Sequence, residues 1–195
     1  MIQRSEKPSS PRLRQSWLSR FRDDCSGVSA IEFTLIFPIL VALFAGTVDL
    51  GQSLMVSRKM NQIVASTADV ISQNPGWTTA DATALLKGMS TIIQPYNIND
   101  LTIKLTVLDV DSKLDAKVKW SLALHGDKYA AGVPSPVVLP TDMATANVQM
   151  ILVESDFGFS TPFSGLLSSV TGMDRYTYNR HYFMRPRNSD TVTLN

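Results

Sequence analysis

The longest apolar run of the chain lies close to its N-terminus. Residues 33–48 carry no charged side chain, and the apolar character extends back to Val28. A helix needs about 20 mainly apolar residues to cross the hydrocarbon core of a bilayer. Pro38 lies inside the run and would break a soluble helix, but membrane-spanning helices tolerate proline better. The pattern therefore predicts a transmembrane helix over residues 28–50.

A helical pattern of apolar residues continues beyond residue 50. These positions recur close to every third or fourth residue, and they are Leu50, Leu54, Met60, Val64, Ala68 and Ile71. The turn residues Asn74, Pro75 and Gly76 then end the pattern. We expect an extension of the same helix outside the membrane over residues 51–73. Its apolar stripe packs either on its own domain or on helices of neighbouring subunits.

The remaining residues, 74–195, show first a helical pattern and then alternating ones. A second helix is expected over residues 79–93, with Thr78 or Thr79 as its N-cap and Pro95 beyond its end. Alternating apolar and polar residues predict strands at 101–107 and 117–124, which should form an antiparallel hairpin around a turn at Asp111 and Ser112.

Two further strands follow a proline-rich loop over residues 132–140. Residues 148–153 are almost continuously apolar, which predicts a central strand covered on both faces. Residues 157–159 should lead from it into a short helical or loop insertion over residues 163–170. Alternating aromatic residues predict a last strand, and they are Tyr176, Tyr178, Tyr182 and Met184.

These elements predict an α+β fold. A long N-terminal transmembrane helix extends outside the membrane and precedes a small antiparallel-sheet domain over residues 74–195. About 120 residues outside the membrane are enough to bury one modest core.

Charge indicates how the helix is oriented. Before residue 23 the chain has a single acid, Glu6, and six basic residues, Arg4, Lys7, Arg12, Arg14, Arg20 and Arg22. The positive-inside rule places this leader, residues 1–27, in the cytoplasm. No aromatic or groove-reading module accompanies the basic residues, so nucleic acid is not an expected partner. A signal peptide cleaved after the apolar run is the rival interpretation, but Thr47 in Ala45-Gly46-Thr47 suits the cleavage position poorly.

Glu32 is an acid near the start of the apolar run. A charged side chain at the bilayer centre costs roughly 2.5–3.5 kcal/mol even on lenient insertion scales. Gly27, then residues 28–31, then Glu32 and Phe33 resemble the N-terminal region of type IV prepilins of the Flp/Tad subclass. Pro38 and the Gly46…Asp49 element extend the similarity to TadE-like and TadG-like pilus assembly proteins, the TadE-like branch in particular. Residues 182–187 resemble the family more weakly.

The resemblance implies a pilin-like architecture and a minor pseudopilin that assists assembly of a Flp/Tad pilus from the bacterial inner membrane, with the C-terminal domain in the periplasm. A prepilin peptidase would cut between Gly27 and Val28. Glu32 would then neutralise the new ammonium of its own chain or of a neighbouring subunit, with Phe33 beside it. The implied partners are inner-membrane lipid, other pilin or pseudopilin subunits, pilus platform proteins and the peptidase.

The sequence contains no pattern that indicates catalysis. His125 and His181 lack neighbours at metal-ligand spacing, and Cys25 is the only cysteine. Asp109, Asp111 and Asp115 lack the other ligands of a calcium loop, so a solvated turn is expected there. We therefore expect no catalytic residue, cofactor, metal or small-molecule substrate. The alternative function is a signal-anchored periplasmic binding or enzymatic domain unrelated to pili.

Overall fold

The computed structural model describes residues 27–165, 168, 172 and 175–195. The predicted leader except Gly27, which includes Cys25, lies outside the described residues, as does half of the predicted insertion over residues 163–170. The chain divides into two compact units, Met1–Phe44 and Ala45–Asn195. We refer to the second of these as the sheet unit.

The predicted long helix is confirmed. Helix α1 extends over Val28–Gln73, a length of 46 residues, with Pro38 inside it. Its most apolar 18-residue window has a mean hydropathy of 2.2, and the helix is long and apolar enough to cross a membrane by length and composition.

The part of α1 that belongs to the sheet unit has one buried face. The buried residues there are Ala45, Asp49, Val56, Met60, Ile63, Val64, Thr67, Ala68, Ile71 and Ser72. The predicted stripe is correct from Met60 onward but wrong at Leu50 and Leu54, which are 62% and 54% exposed. Asp49 and Ser53 face the sheet instead. Each leucine follows one of these residues directly and therefore points about 100° away around the helix.

The sheet has four antiparallel strands in the order β3-β2-β4-β5. The chain first forms β1 (Gly76–Trp77) and α2 (Thr79–Ser90), then a 3-10 turn over Thr91–Ile93 and a second over Ile98–Asp100. The sheet strands are β2 (Leu101–Val110), β3 (Ala116–Leu124), β4 (Gln149–Phe159) and β5 (Tyr176–Met184). A last strand, β6 (Thr193–Leu194), pairs parallel with β1.

Most of the predicted elements are therefore present. The β2–β3 hairpin, the central β4 and the last strand β5 are confirmed, and Thr78 is the residue that caps α2, its hydroxyl accepting the Asp81 N–H at 3.1 Å. The end of β4 was predicted too early: residues 157–159 belong to the strand, because they pair with Tyr178, Thr177 and Tyr176 of β5.

The two faces of the sheet are covered differently. Helices α1 and α2 cover one face and form the main core with residues such as Ile103, Val153 and Phe157. Leu108, Met150, Leu152 and Phe183 point to the other face, where side chains of the connection between β3 and β4 pack over them, namely Tyr129, Val137 and Leu139. Burial of β4 on both faces agrees with the prediction made from its continuous apolar run.

Candidate functional site

The four candidate residues from the sequence lie at the start of α1. Gly27 is exposed, and a Cβ added there would meet no atom within 4 Å. Val28 and Phe33 are 52% and 60% exposed. Glu32 is also exposed, and within the described part of the chain no hydrogen bond or ion pair engages its carboxylate. Residues four apart on a helix are neighbours, so Val28 and Glu32 share one face.

The first part of α1 exposes apolar side chains on all sides. Those that are at least half exposed are Val28, Ile31, Phe33, Leu35, Ile36, Phe37, Ile39, Leu40, Leu43 and Phe44. The rings of Phe33 and Phe37, one turn apart, lie 5.5 Å from each other. A helix that is apolar all round is stable only inside a large core or in lipid. This surface therefore needs an apolar environment that the described residues of the chain do not supply.

Pro38 removes one backbone hydrogen bond from α1. Proline has no N–H, so the carbonyl of Thr34, one turn earlier, loses its usual donor. The Thr34 hydroxyl itself donates to the Ala30 carbonyl at 2.7 Å, so the side chain has no unmet polar group. Threonine residues commonly form such bonds within membrane helices.

Three polar residues of α1, spaced four apart, bind β5 and the turn that follows β4. The Asp49 carboxylate is only 3% exposed; it accepts the Thr161 hydroxyl at 2.5 Å and the Phe163 N–H at 3.4 Å. The Ser53 hydroxyl is hydrogen-bonded to the Tyr178 hydroxyl. The Ser57 hydroxyl accepts a hydrogen bond from the Arg180 guanidinium at 3.0 Å. We refer to Asp49, Ser53 and Ser57 as the polar seam.

The polar seam gives Asp49 a role inside the chain. A buried charge is costly unless hydrogen bonds satisfy it, and Thr161 and Phe163 supply them. The sequence indicated Asp49 only as part of a family pattern, and the spacing of residues 49, 53 and 57 was the missed signal for a polar helix face that binds the sheet.

A lysine of α1 binds the chain just after α2. The Lys59 ammonium donates to the carbonyls of Ile92 and Gln94, both at 2.8 Å. These carbonyls end a helical segment and have no following N–H groups to pair with. A cation at a helix C-terminus also interacts favourably with the helix dipole. The Lys59 side chain thus connects α1 by hydrogen bonds to the end of the 3-10 turn that follows α2.

The C-terminal residues bind the other end of α1. The Arg187 N–H donates to the Ser72 carbonyl at 2.9 Å, and its guanidinium lies 2.5 Å from the Asp69 carboxylate. The Asn188 side chain donates to the Gln73 carbonyl at 2.6 Å. The chain just after β5 therefore satisfies two of the last carbonyls of α1.

A cluster of titratable groups surrounds Glu154 on the face of the sheet that the connection between β3 and β4 covers. Burial raises the pKa of Glu154, while the hydrogen bond from Tyr129 and the charges of Lys104 and His181 oppose this effect. Burial and the neighbouring Glu154 charge raise the pKa of Tyr129 to about 12. The Lys104 ammonium lies 4.8 Å from the centre of the Tyr129 ring.

Other candidate sites carry little chemistry. An open cavity of about 740 Å³ is lined by residues between α2 and the end of β3, including Lys87, Tyr96 and His125. Asp111 is exposed and accepts hydrogen bonds from the N–H groups of Asp115 and Lys113, and these bonds lower its pKa. Among the described residues, no group of three or more His, Cys, Asp or Glu side chains is placed to hold a metal ion.

Comparison with known proteins finds a family similarity in the N-terminal part of the chain. The family described as TadE-like protein has a model that matches residues 27–69. No curated protein and no solved structure matches the chain. The matched segment begins at Gly27, includes the exposed apolar helix and Glu32, and extends through the polar seam to the buried face of α1. Over this segment, the chain is similar to the TadE-like family.

Proposed function

We propose that this protein is a minor pseudopilin-like component that assists assembly of a Flp/Tad pilus. The observation that carries the proposal is the coincidence of the family match with the geometry of α1. The match starts at Gly27, and the exposed apolar helix starts one residue later, at Val28. A protein of this kind acts by packing its helix among others, and the exposed surface of residues 28–44 is available for such contacts.

In this proposal α1 spans the inner membrane with its N-terminus in the cytoplasm. Residues 28–48 of a helix measure about 30 Å, which equals the thickness of the hydrocarbon core. The basic leader on one side supports a cytoplasmic N-terminus, because lysine and arginine are enriched on that side of membrane helices. The sheet unit then lies in the periplasm.

The proposed roles of Gly27 and Glu32 follow from their surroundings. The open space around Gly27 leaves its backbone accessible to a peptidase, and cleavage after it would give Val28 a free ammonium. Glu32 lies one turn away on the same face of the helix and has no partner in the described chain. In the apolar part of a bilayer such a carboxylate needs a cation, and the ammonium of a neighbouring processed subunit meets this need.

The test is the N-terminus of the protein in cells that have or lack the prepilin peptidase. We expect a membrane-extracted chain that begins at Val28, by intact mass and N-terminal sequencing, and a longer chain when the peptidase is absent. Gly27→Leu should block cleavage. Gly51→Leu is the matched control, since Gly51 is also an exposed glycine of α1 with no atom within 4 Å of an added Cβ.

The same cells test Glu32. Glu32→Gln should leave cleavage intact and should reduce pilus assembly, whereas Glu32→Asp should retain part of it because the negative charge remains. A chain that keeps its leader in all strains would remove processing and the Glu32 pairing from the proposal. Normal piliation in a strain that lacks the protein would contradict the proposed function itself and would favour a signal-anchored periplasmic domain.

A further inference from the structure

In a membrane-spanning α1, the polar seam determines how far the residues that it binds lie from the hydrocarbon core of the membrane. Asp49 is the first charged residue after the uncharged run 33–48, so in a membrane-spanning α1 it marks the boundary of the hydrocarbon core. Because Asp49 binds the Thr161 hydroxyl and the Phe163 N–H, the turn that follows β4 lies at that height.

The side chains at this height are apolar and exposed. Leu50, Leu54 and Met55 are 62%, 54% and 51% exposed, and they lie within about 9 Å of Asp49 along the helix axis. Pro162 and Gly165 of the turn are also exposed. Residues 157–165 include no charged side chain. Exposed apolar side chains beside an uncharged turn are typical of a surface that contacts another apolar phase, and the interface of a bilayer suits them.

The sheet-unit residues that the seam binds become more polar with distance from Asp49, in the order expected of a membrane interface. About 6 Å above Asp49, Ser53 is hydrogen-bonded to the hydroxyl of Tyr178, and about 12 Å above it Ser57 binds the Arg180 guanidinium. Tyrosine is enriched at the headgroup level, where its ring and its hydroxyl meet different environments, and arginine lies further towards water and phosphate.

We propose that a collar formed by Leu50, Leu54, Met55 and residues 162–165 lies in the lipid headgroup region, so that the sheet unit rests on the membrane surface. This inference rests on the membrane-spanning α1 of the proposed function. It adds a second lipid contact, made by a turn more than 110 residues after the helix residue that it binds. The partner is the bilayer surface itself, and the collar fixes the height of the sheet unit above it.

The experiment uses spin labels on single cysteines of the full chain in phosphatidylcholine–phosphatidylglycerol nanodiscs, in a Cys25→Ser background. Labels at Pro162→Cys and Gly165→Cys probe the collar, and an added side chain at Gly165 meets no atom within 4 Å. Leu40→Cys, in the apolar run, tests the membrane span. Ser112→Cys is the matched control in the sheet unit, an exposed residue at the opposite end of the sheet, about 30 Å away along β2.

Collision with oxygen reports lipid, and collision with a nickel chelate reports water. We expect the oxygen-to-nickel ratio at residues 162 and 165 to exceed that at residue 112 by about threefold, because a charged chelate is excluded from apolar surroundings. The ratio at residue 40 should be higher still. Equal ratios at 162, 165 and 112 with a high ratio at 40 would overturn the collar and leave the membrane span intact. A low ratio at residue 40 would overturn the membrane span as well. Labels at residues 162 and 165 that are shielded from both reagents would indicate a protein contact, and this result would also overturn the collar.

Discussion

Asp49 holds the connection after β4 through a carboxylate that is almost completely buried. Asp49→Ala leaves the Thr161 hydroxyl and the Phe163 N–H without their acceptor. Loss of hydrogen bonds to a buried charged group costs about 1–3 kcal/mol. We expect a decrease of this size in the free energy of unfolding, measured by urea titration in detergent. Asp142→Ala removes an exposed carboxylate of the same unit and should change stability by less than about 0.5 kcal/mol.

Glu154 should make stability depend on pH. Its pKa in the folded chain is raised, mainly by burial, so the unfolded chain releases this proton at a lower pH than the folded chain does. Stability should therefore fall as pH rises from the ordinary glutamate value of 4.5 through the raised value. Tyr129, with its pKa raised to about 12, should cause a second fall between its ordinary value of 10.0 and about 12.

The two titrations are coupled, because the hydrogen bond from Tyr129 lowers the pKa of Glu154 and the Glu154 charge raises the pKa of Tyr129. Glu154→Gln should abolish the first fall in a series of urea titrations across that pH range and should make the second smaller. Tyr129→Phe should abolish the second fall and leave the first in place. Asp142→Asn, which changes an exposed carboxyl, should leave both in place. A first fall that persists in Glu154→Gln would assign the pH dependence to another carboxyl.

At the level of single residues, the sequence indicated a candidate residue where the polarity of a side chain differs from that of its neighbours along the chain. Glu32 is conspicuous because an acid interrupts an apolar run, and its exposure on α1 leaves that conflict in place. Asp49 is different, because its burial depends on Thr161 and Phe163, more than 110 positions later in the chain. Periodicity reports only which helix face is apolar, so it assigned Leu50 and Leu54 to the buried stripe.

Lys59 connects two helical elements, α1 and the 3-10 turn after α2. Lys59→Met keeps the apolar stem of the side chain but removes both hydrogen bonds to the carbonyls of Ile92 and Gln94. We expect the free energy of unfolding to decrease by about 1–3 kcal/mol, because hydrogen bonds from a charged group are lost at a partly buried site. Amide exchange should also become faster in the turn Thr91–Ile93.

The neighbouring arginine provides the control for Lys59. Arg58 is exposed and has no hydrogen-bond partner among the described residues, so Arg58→Met removes the same charge at nearly the same position. Its effect should stay within about 0.5 kcal/mol. Equal effects of the two substitutions would mean that net charge matters here and that the two carbonyls do not.

At the level of elements, long periodic segments were predictable and short or paired ones were not. The 46 residues of α1 and the alternation in β2 and β3 carry enough repeats to define their type. The two residues of β1 and of β6 carry none, and their pairing depends on backbone bonds such as Thr193 N–H to the Pro75 carbonyl at 2.9 Å. The late end of β4 is likewise determined by β5, which pairs with it as far as Phe159.

The whole sheet unit depends on a helix that begins in the other unit. Val56, Met60, Ile63, Val64, Ala68 and Ile71 of α1 are buried in the main core. Burying one large apolar side chain contributes about 1.5–3 kcal/mol, and whole domains are stable by only about 5–15 kcal/mol. The sheet and α2 alone therefore lack a sufficient core, although the sequence-based domain boundary at residue 74 separates them from the helix.

Two fragments test this dependence. Fragment 45–195 keeps the buried face of α1 and should unfold cooperatively in urea, with Leu50→Gln and Leu54→Gln added to limit association through exposed leucines. Fragment 74–195 should show no cooperative transition in far-UV circular dichroism and tryptophan fluorescence, because its sheet would expose Ile103, Val153 and Phe157 to water. A cooperative transition of fragment 74–195 at the same urea concentration as fragment 45–195 would show that α1 adds little to the core. It would support an independent domain that starts at residue 74.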